Sequence, residues 1–239
     1  MTHKTRAIIL RSVKYGETSL VITAFTELFG IQSYIMNGVR TSKPGSKAAQ
    51  FQPGALLNME VYHNELKQLN RIKESSWHVV YKNIFSDVIC HSITIFMVEL
   101  LHKLLKQPEP DPELFGFIEE VLITLDDSPR EIAANIPLFF TLHLPHFFGF
   151  MIAENHGDLE YLDLVEGRFT EEQPRHEFYF SGRDAAVISE LLRARQIAEL
   201  GSINLHSSQR RFLLENLVQY YAHHVPDFGK LKTLSIITL

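Results

Sequence analysis

Cysteine is almost missing from this chain: Cys90 stands alone among 239 residues. One cysteine excludes an internal disulfide framework and any thiolate zinc cage, and it suits a reducing cytosol. The opening run Met1-Thr2-His3-Lys4-Thr5-Arg6 lacks the apolar core of a secretory signal. Several reaction signatures are also lacking. There is no Gly-x-x-x-x-Gly-Lys-Ser/Thr loop for nucleotide phosphates, no Gly-x-Gly-x-x-Gly, no Gly-x-Ser-x-Gly elbow and no His-Glu-x-x-His. Internal repeats and low-complexity tracts are absent as well. Nothing here proposes a reaction, and the expectation is a protein that is not an enzyme and needs no cofactor.

Charge is missing from one long stretch. Ile132 to Ala153 contains no Asp, Glu, Lys or Arg, a length sufficient to span a bilayer. Asn135, Pro137, Thr141, His143, Pro145 and His146 interrupt it, a poor set for lipid-facing positions. The stretch therefore reads as a buried helix of a bundle, bent or broken at Pro145, and no membrane partner is expected. Acidic residues are missing from Glu27 to Glu60. Residues 1–80 carry ten Lys and Arg against five Asp and Glu, a net of +5. Residues 81–190 have a net of −13 and residues 191–239 a net of +3, hidden within an overall −5. Contact with a polyanion is thus expected of only part of the molecule.

The first eighty residues hold five short β-rich runs: 5–13, 19–26, 31–36, 55–62 and 66–72. Five strands in so short a span predict a small barrel, of OB-fold or SH3-like type. Beyond Trp77 the apolar period becomes helical, over 84–106 and 113–125, with the proline-rich 107–112 between them. Further helices are predicted at 183–200 and 207–225, the second capped by Ser207. Residues 154–180 lose that period and read as an irregular insert with short strands near 161–165 and 178–180. The expected fold is α+β with two domains, residues 1–78 forming the barrel and 79–239 a helical domain.

The most suggestive local feature is the loop Arg40-Thr41-Ser42-Lys43-Pro44-Gly45-Ser46-Lys47. Its cations suit phosphate contact, which requires charge but no fixed base geometry. Arg6, Arg11 and Lys14 on the first strand extend the same surface, and Tyr15, Tyr34 and Phe51 are aromatic candidates for base stacking. The twelve histidines invite a metal hypothesis through Glu99–His102, His143–His146 and His223–His224. A carboxylate-bridged site requires the Glu-x-x-His motif twice, and only one copy is present. No metal is expected, and Cys90, in an uncharged stretch, reads as a small buried residue.

Several pieces, kept in order along nearly the whole chain, resemble the RecO family. They are Ala7-Ile8-Ile9-Leu10, Tyr15-Gly16-Glu17, Phe25-Thr26-Glu27 with Gly30, and Asn37-Gly38-Val39-Arg40 followed by Ser42-Lys43. Phe51-Gln52-Pro53, the uncharged helix with Leu142, Phe148 and Gly149, Tyr161 to Phe169, and Leu231-Lys232-Thr233-Leu234 continue the likeness.

The resemblance implies an N-terminal OB-fold and a C-terminal helical domain. It implies a cytoplasmic, nucleoid-associated mediator of DNA repair and recombination. Such a mediator binds single- and double-stranded DNA, anneals complementary strands and helps RecA replace single-stranded-DNA-binding protein. The implied partners are RecR and the acidic, hydrophobic C-terminal tail of the single-stranded-DNA-binding protein. DNA contact carries over to Arg40 and Lys43 in the family's basic segment. Lys47, Arg11 and Lys14 are added to them from charge and position. An acidic tail calls for cations beside an apolar groove, for which Arg130, Arg210 and Arg211 are candidates. Many family members carry a cysteine-ligated zinc finger corresponding to about 154–176. This chain has no cysteine there, and packing around Leu162, Leu164 and Phe169 is expected instead. The alternative function is a protein-interaction adaptor whose barrel no longer binds DNA.

Overall fold

The computed structural model describes residues 2–39, 47–157 and 159–237. Five strands, β1 (Thr2–Tyr15), β2 (Ser19–Thr26), β3 (Gly30–Met36), β4 (Leu56–Tyr62) and β5 (Asn70–Trp77), close into a barrel in the order β1-β2-β3-β5-β4. A meander would join β3 to β4. Here β3 pairs with β5 in parallel, Tyr34 opposite Asn70 and Ile35 opposite Arg71, and β4 closes onto β1. That Greek-key closure belongs to the OB-fold and removes the SH3-like alternative. Alternation fills the interior with Ile9, Leu20, Ile22, Ala24, Tyr34, Met36, Leu57, Met59, Val61 and Ile72, which share one cluster.

Two local departures follow from hydrogen bonding. The fifth strand begins later than the run at 66–72 suggests. The Asn64 amide donates to Asn70 Oδ1 at 2.9 Å, and the Leu66 amide donates to Asn64 Oδ1 at 2.9 Å. These bonds make residues 63–69 a built loop rather than strand. In β1 the register against β2 shifts between Ile9 and Arg11. Ala7 and Ile9 face the interior, but beyond the bulge Ser12 lies opposite buried Ile22 and Lys14 opposite buried Leu20. The extra residue therefore turns Arg11, Val13 and Tyr15 to the outside.

The chain forms two compact units, Met1–Ser86 with Val98–Asp126, and Asp87–Met97 with Asp127–Leu239. In the first unit the barrel is joined by helix α2 (Pro112–Asp127). Phe115 of α2 packs on Phe25 with ring centroids 5.7 Å apart. Gly30, at φ +62, lies against the Glu109 backbone so closely that a Cβ there would meet the Glu109 oxygen at 2.1 Å. At the far end of α2, Asp126 accepts three main-chain bonds from residues 82–84.

The second unit takes in the first part of α1 (Val88–Leu104) and two long helical segments, α5 (Gly182–Arg193) and α6 (Ser207–His224). Its centre is the uncharged run. Instead of one helix it forms α3 (Arg130–Ala133), α4 (Ile136–His143) and a 3-10 turn (Leu144–Phe148). Pro137 has no amide to donate back to Ala133, and the Asn135 side chain is drawn aside to the Leu200 and Ile203 carbonyls at 3.1 and 2.8 Å. From Ala133 to Pro145 the run is largely buried within protein, while His146, Gly149, Met151 and Ala153 reach the surface, and among the described residues no helix is long and apolar enough to cross a membrane. Ser207 does not cap α6. His206 holds that position in extended backbone without a side-chain cap bond. The irregular segment folds as a small sheet, β7-β6-β8, from β6 (Tyr161–Asp163), β7 (Arg168–Thr170) and β8 (Tyr179–Ser181). Leu162 of β6, Phe169 of β7 and Leu164, just after β6, are buried.

His143 ends α4 inside this core. Its Nε2 is 3.2 Å from the Leu191 carbonyl, and its ring lies 4.2 Å from that of Phe139. Burial pushes its pKa below the ordinary 6.5, only partly opposed by the Leu191 bond. The folded state thus takes up a proton at lower pH than the unfolded chain does, so this stability is full above 6.5 and lost as pH falls. Thermal melting should weaken progressively below that value, and His143→Gln, which keeps a donor but does not titrate, should flatten the dependence. An identical pH profile in that variant would remove His143 as the cause.

Candidate nucleic-acid interface

The outward side chains of β1, β2 and β3 line up in cross-strand rows. One row runs Arg11, Thr23, Ser33; the next runs Val13, Val21, Ile35 and then Arg71 of β5; a third pairs Tyr15 with Ser19. None of these positions is acidic, and Glu17, in the β1–β2 turn, is the acid nearest to them in sequence. Arg11, Arg71 and Val13 are exposed, and Tyr15 is 57% exposed. Cations with an accessible ring and small hydroxyls on a pleated face can take both phosphates and base faces. The β2–β3 surface is also the side of an OB barrel that oligonucleotides use.

His102 on α1 is held below its ordinary pKa first by burial and then by the charges of Arg11, Lys106 and Lys103, against a smaller opposing effect of Glu99. The side of the barrel made by the N-terminal half of β1 with β4 and β5 is different in kind. There Lys4, Glu60 and Glu74 share a row, Lys73 pairs with Glu60 at 2.8 Å, and an open groove of about 520 Å³ is lined by both signs of charge. Arg6 belongs to that side and is fully engaged. Its guanidinium donates to Glu27 at 2.9 and 2.7 Å and to Glu119 of α2 at 2.5 Å, and it lies 5.2 Å from the centre of the Phe115 ring. Arg6 in turn holds the Glu27 carboxyl below the usual range. A guanidinium with two carboxylate partners has no charge to offer a phosphate, so Arg6 does not extend the candidate surface.

The structure separates residues that the strand order had grouped. Arg11 is on the outer face, whereas Lys14 has the parity of the interior and emerges exposed at the barrel mouth, level with Leu20 and Met36. Val39 donates its amide to the Thr18 carbonyl at 3.0 Å, so the described chain leaves the barrel at the β1–β2 turn. Arg40 and Lys43 lie outside the described residues. Lys47 is exposed at the start of a 3-10 turn (Lys47–Phe51). Arg71 was not legible as a site residue, because only the parallel β3–β5 pairing sets it beside Ile35.

The three arginines considered for a partner's acidic tail also differ. Arg130 is 79% exposed in its side chain and 3.8 Å from Asp87. Arg210 donates to the Leu205 carbonyl at 2.6 Å, and burial lowers its pKa. Arg211 donates to the Leu234 and Ile237 carbonyls at 3.3 and 3.1 Å and lies 3.5 Å from Glu215. Arg210 and Arg211 thus brace the local chain, and Arg130 is the most accessible of the three.

Among the described residues no group of three or more His, Cys, Asp or Glu is placed to hold a metal ion. In the region of the small sheet, Asp163, His176 and Asn155 are engaged in local hydrogen bonds. Asp163 accepts from the Val165 and Glu166 amides and faces His176 at 3.2 Å, and Asn155 Oδ1 accepts from the Gly157 and Leu159 amides. That donor set does not fit a cysteine-type zinc centre.

The closed barrel of OB type, its acid-free outer rows and the helical region after it define an OB-fold protein with a helical C-terminal part. Residues 1–80 match the family described as recombination protein O N terminal, and residues 86–234 match recombination protein O C terminal. Curated relatives named DNA repair protein RecO include those of Azobacteroides pseudotrichonymphae, 28% identical over 99% of this chain and 98% of its own, and Flavobacterium psychrophilum, 30% identical with the same coverage. The Bacteroides fragilis protein of that name is 28% identical, again over 99% and 98%. The chain belongs to the RecO family of DNA repair proteins.

Proposed function

We propose that this protein binds single- and double-stranded DNA through the outer face of its barrel, anneals complementary strands, and helps load RecA where single-stranded-DNA-binding protein covers the DNA. The observation that carries the reading is the acid-free set of rows from Arg11 and Tyr15 on β1 to Arg71 on β5. Cations there neutralise phosphates on either strand, and lowered repulsion lets base pairing proceed without a cofactor. The protein acts by holding strands, not by a chemical step. Arg11, Lys14, Arg40, Lys43 and Lys47 are the proposed DNA contacts, joined by Arg71. RecR and the acidic tail of the single-stranded-DNA-binding protein are the proposed partners, with Arg130 the most accessible contact for the tail. The proposed location is the cytoplasm, at the nucleoid.

Titration of a fluorescent mixed-sequence single strand across a salt series tests this. Affinity should fall steeply with salt. Arg40→Ala/Lys43→Ala should weaken binding to all sequences alike and reduce the log–log slope by about 0.7 for each lost phosphate contact. Absence of binding even at low salt would favour an adaptor that meets only proteins.

A further inference from the structure

The loop between β4 and β5 presents apolar side chains to water in a way the barrel core does not require. Leu66 at its tip is 95% exposed, and Leu69 and Tyr62 at its root are exposed too. The loop is nonetheless firmly built. Its root carries His63 stacked on Phe29 with ring centroids 3.8 Å apart and a buried Asn70 that accepts from the Asn64 amide. Asn64 Oδ1 and the Asn64 carbonyl accept from the Leu66 and Lys67 amides at 2.9 and 3.0 Å. Because Asn70 and Arg71 pair with Tyr34 and Ile35, the loop emerges beside β3, at the edge of the acid-free rows.

We infer that this hairpin is a wedge that sets Leu66 against the last base pair where a duplex opens into single strand. The inference rests on the DNA-binding reading above and names the DNA structure which that face prefers. An apolar side chain inserted at a base step unstacks it, and it must be held rigidly to do so. The charges agree with a nucleic-acid occupant. Lys67 follows Leu66 and Arg71 stands at the root, against the single acid Glu65. A protein partner fits less well, since a stable interface buries roughly 800 Å² on each side and one loop tip cannot supply that.

The test uses a duplex with a single-stranded extension that carries 2-aminopurine at its last paired position. Wild-type protein should raise the 2-aminopurine fluorescence. Leu66→Ser, a change at a solvent-exposed position, should abolish that rise. It should also reduce the preference for the junction over plain single strand about tenfold, while leaving affinity for plain single strand within about twofold. Leu66→Trp provides a second readout, with indole emission quenched on the junction and not on plain single strand. Wild-type binding without a fluorescence rise, or a rise equal in Leu66→Ser, overturns the wedge and leaves the barrel face standing. No binding to any DNA removes the DNA-binding reading, and the wedge falls with it.

Discussion

Charge reversal at both ends of the outer rows, Arg11→Glu with Arg71→Glu, is expected to weaken binding to single-stranded DNA roughly a hundredfold at moderate salt. Both side chains are exposed and neither holds the barrel together, so the variant should fold. The loss has two sources. Two phosphate contacts disappear, and two carboxylates then repel the backbone they replaced. The corresponding alanine pair should lose less and should lower the log–log salt slope by about 1.4, at 0.7 per contact on a single strand. Lys4→Glu, on the side of mixed charge, is the control and should bind nearly as wild type. A further signal comes from His102, whose pKa is lowered first by burial and then by Arg11. Removing that guanidinium should raise the His102 titration seen by NMR whether or not DNA is present. Unchanged affinity and slope in the reversed pair, with His102 shifted as expected, would show the substitution intact and the face irrelevant to DNA.

The strands of the barrel and the helical period after Trp77 were legible because burial on one face leaves a period of two or of 3.6 in the residues themselves. The closure was less so. Which strand lies beside β3 depends on a crossover, not on local pattern, and for that reason no local window sets Arg71 beside Ile35. Arg11 and Lys14 looked like neighbours on one strand. An odd separation of three already places them on opposite faces, and the bulge after Ile9 decides which of them points outward. Arg6 looks like a free surface cation in the sequence for a deeper reason: one of its carboxylate partners, Glu119, lies 113 residues away on α2. Local charge density cannot show whether a cation is already neutralised. The uncharged run was readable as buried, while its break at Asn135 depends on carbonyls at Leu200 and Ile203 that no local window contains.

That same dependence on distant partners gives the largest expected effect on stability. Asp126 is 5% exposed, and its carboxylate accepts from the Lys82 amide at 2.7 Å and from the Asn83 and Ile84 amides at 2.8 Å each. Its own carbonyl accepts from Asn83 Nδ2 at 2.7 Å. Asp126→Ala takes the acceptor from three main-chain donors at once. Ile84 is fully buried, while the Lys82 and Asn83 side chains lie at the surface, where water can replace part of what is lost. The expected cost is therefore about 2–4 kcal/mol rather than the full sum for three buried donors. Against a typical 5–15 kcal/mol that is a large share of the whole. Asp126→Asn should cost less, because its amide oxygen still accepts while its NH₂ faces a donor. Urea unfolding should show a lower midpoint with an unchanged slope if native and denatured compactness are preserved. Midpoints equal to wild type in both variants would mean that these bonds do not hold residues 82–84 to α2. DNA affinity measured well below the unfolding transition should stay near wild type, since Asp126 stands outside the outer rows. A loss of affinity in step with the unfolded fraction would instead show that the barrel face exists only while α2 is anchored to the barrel's C-terminal segment.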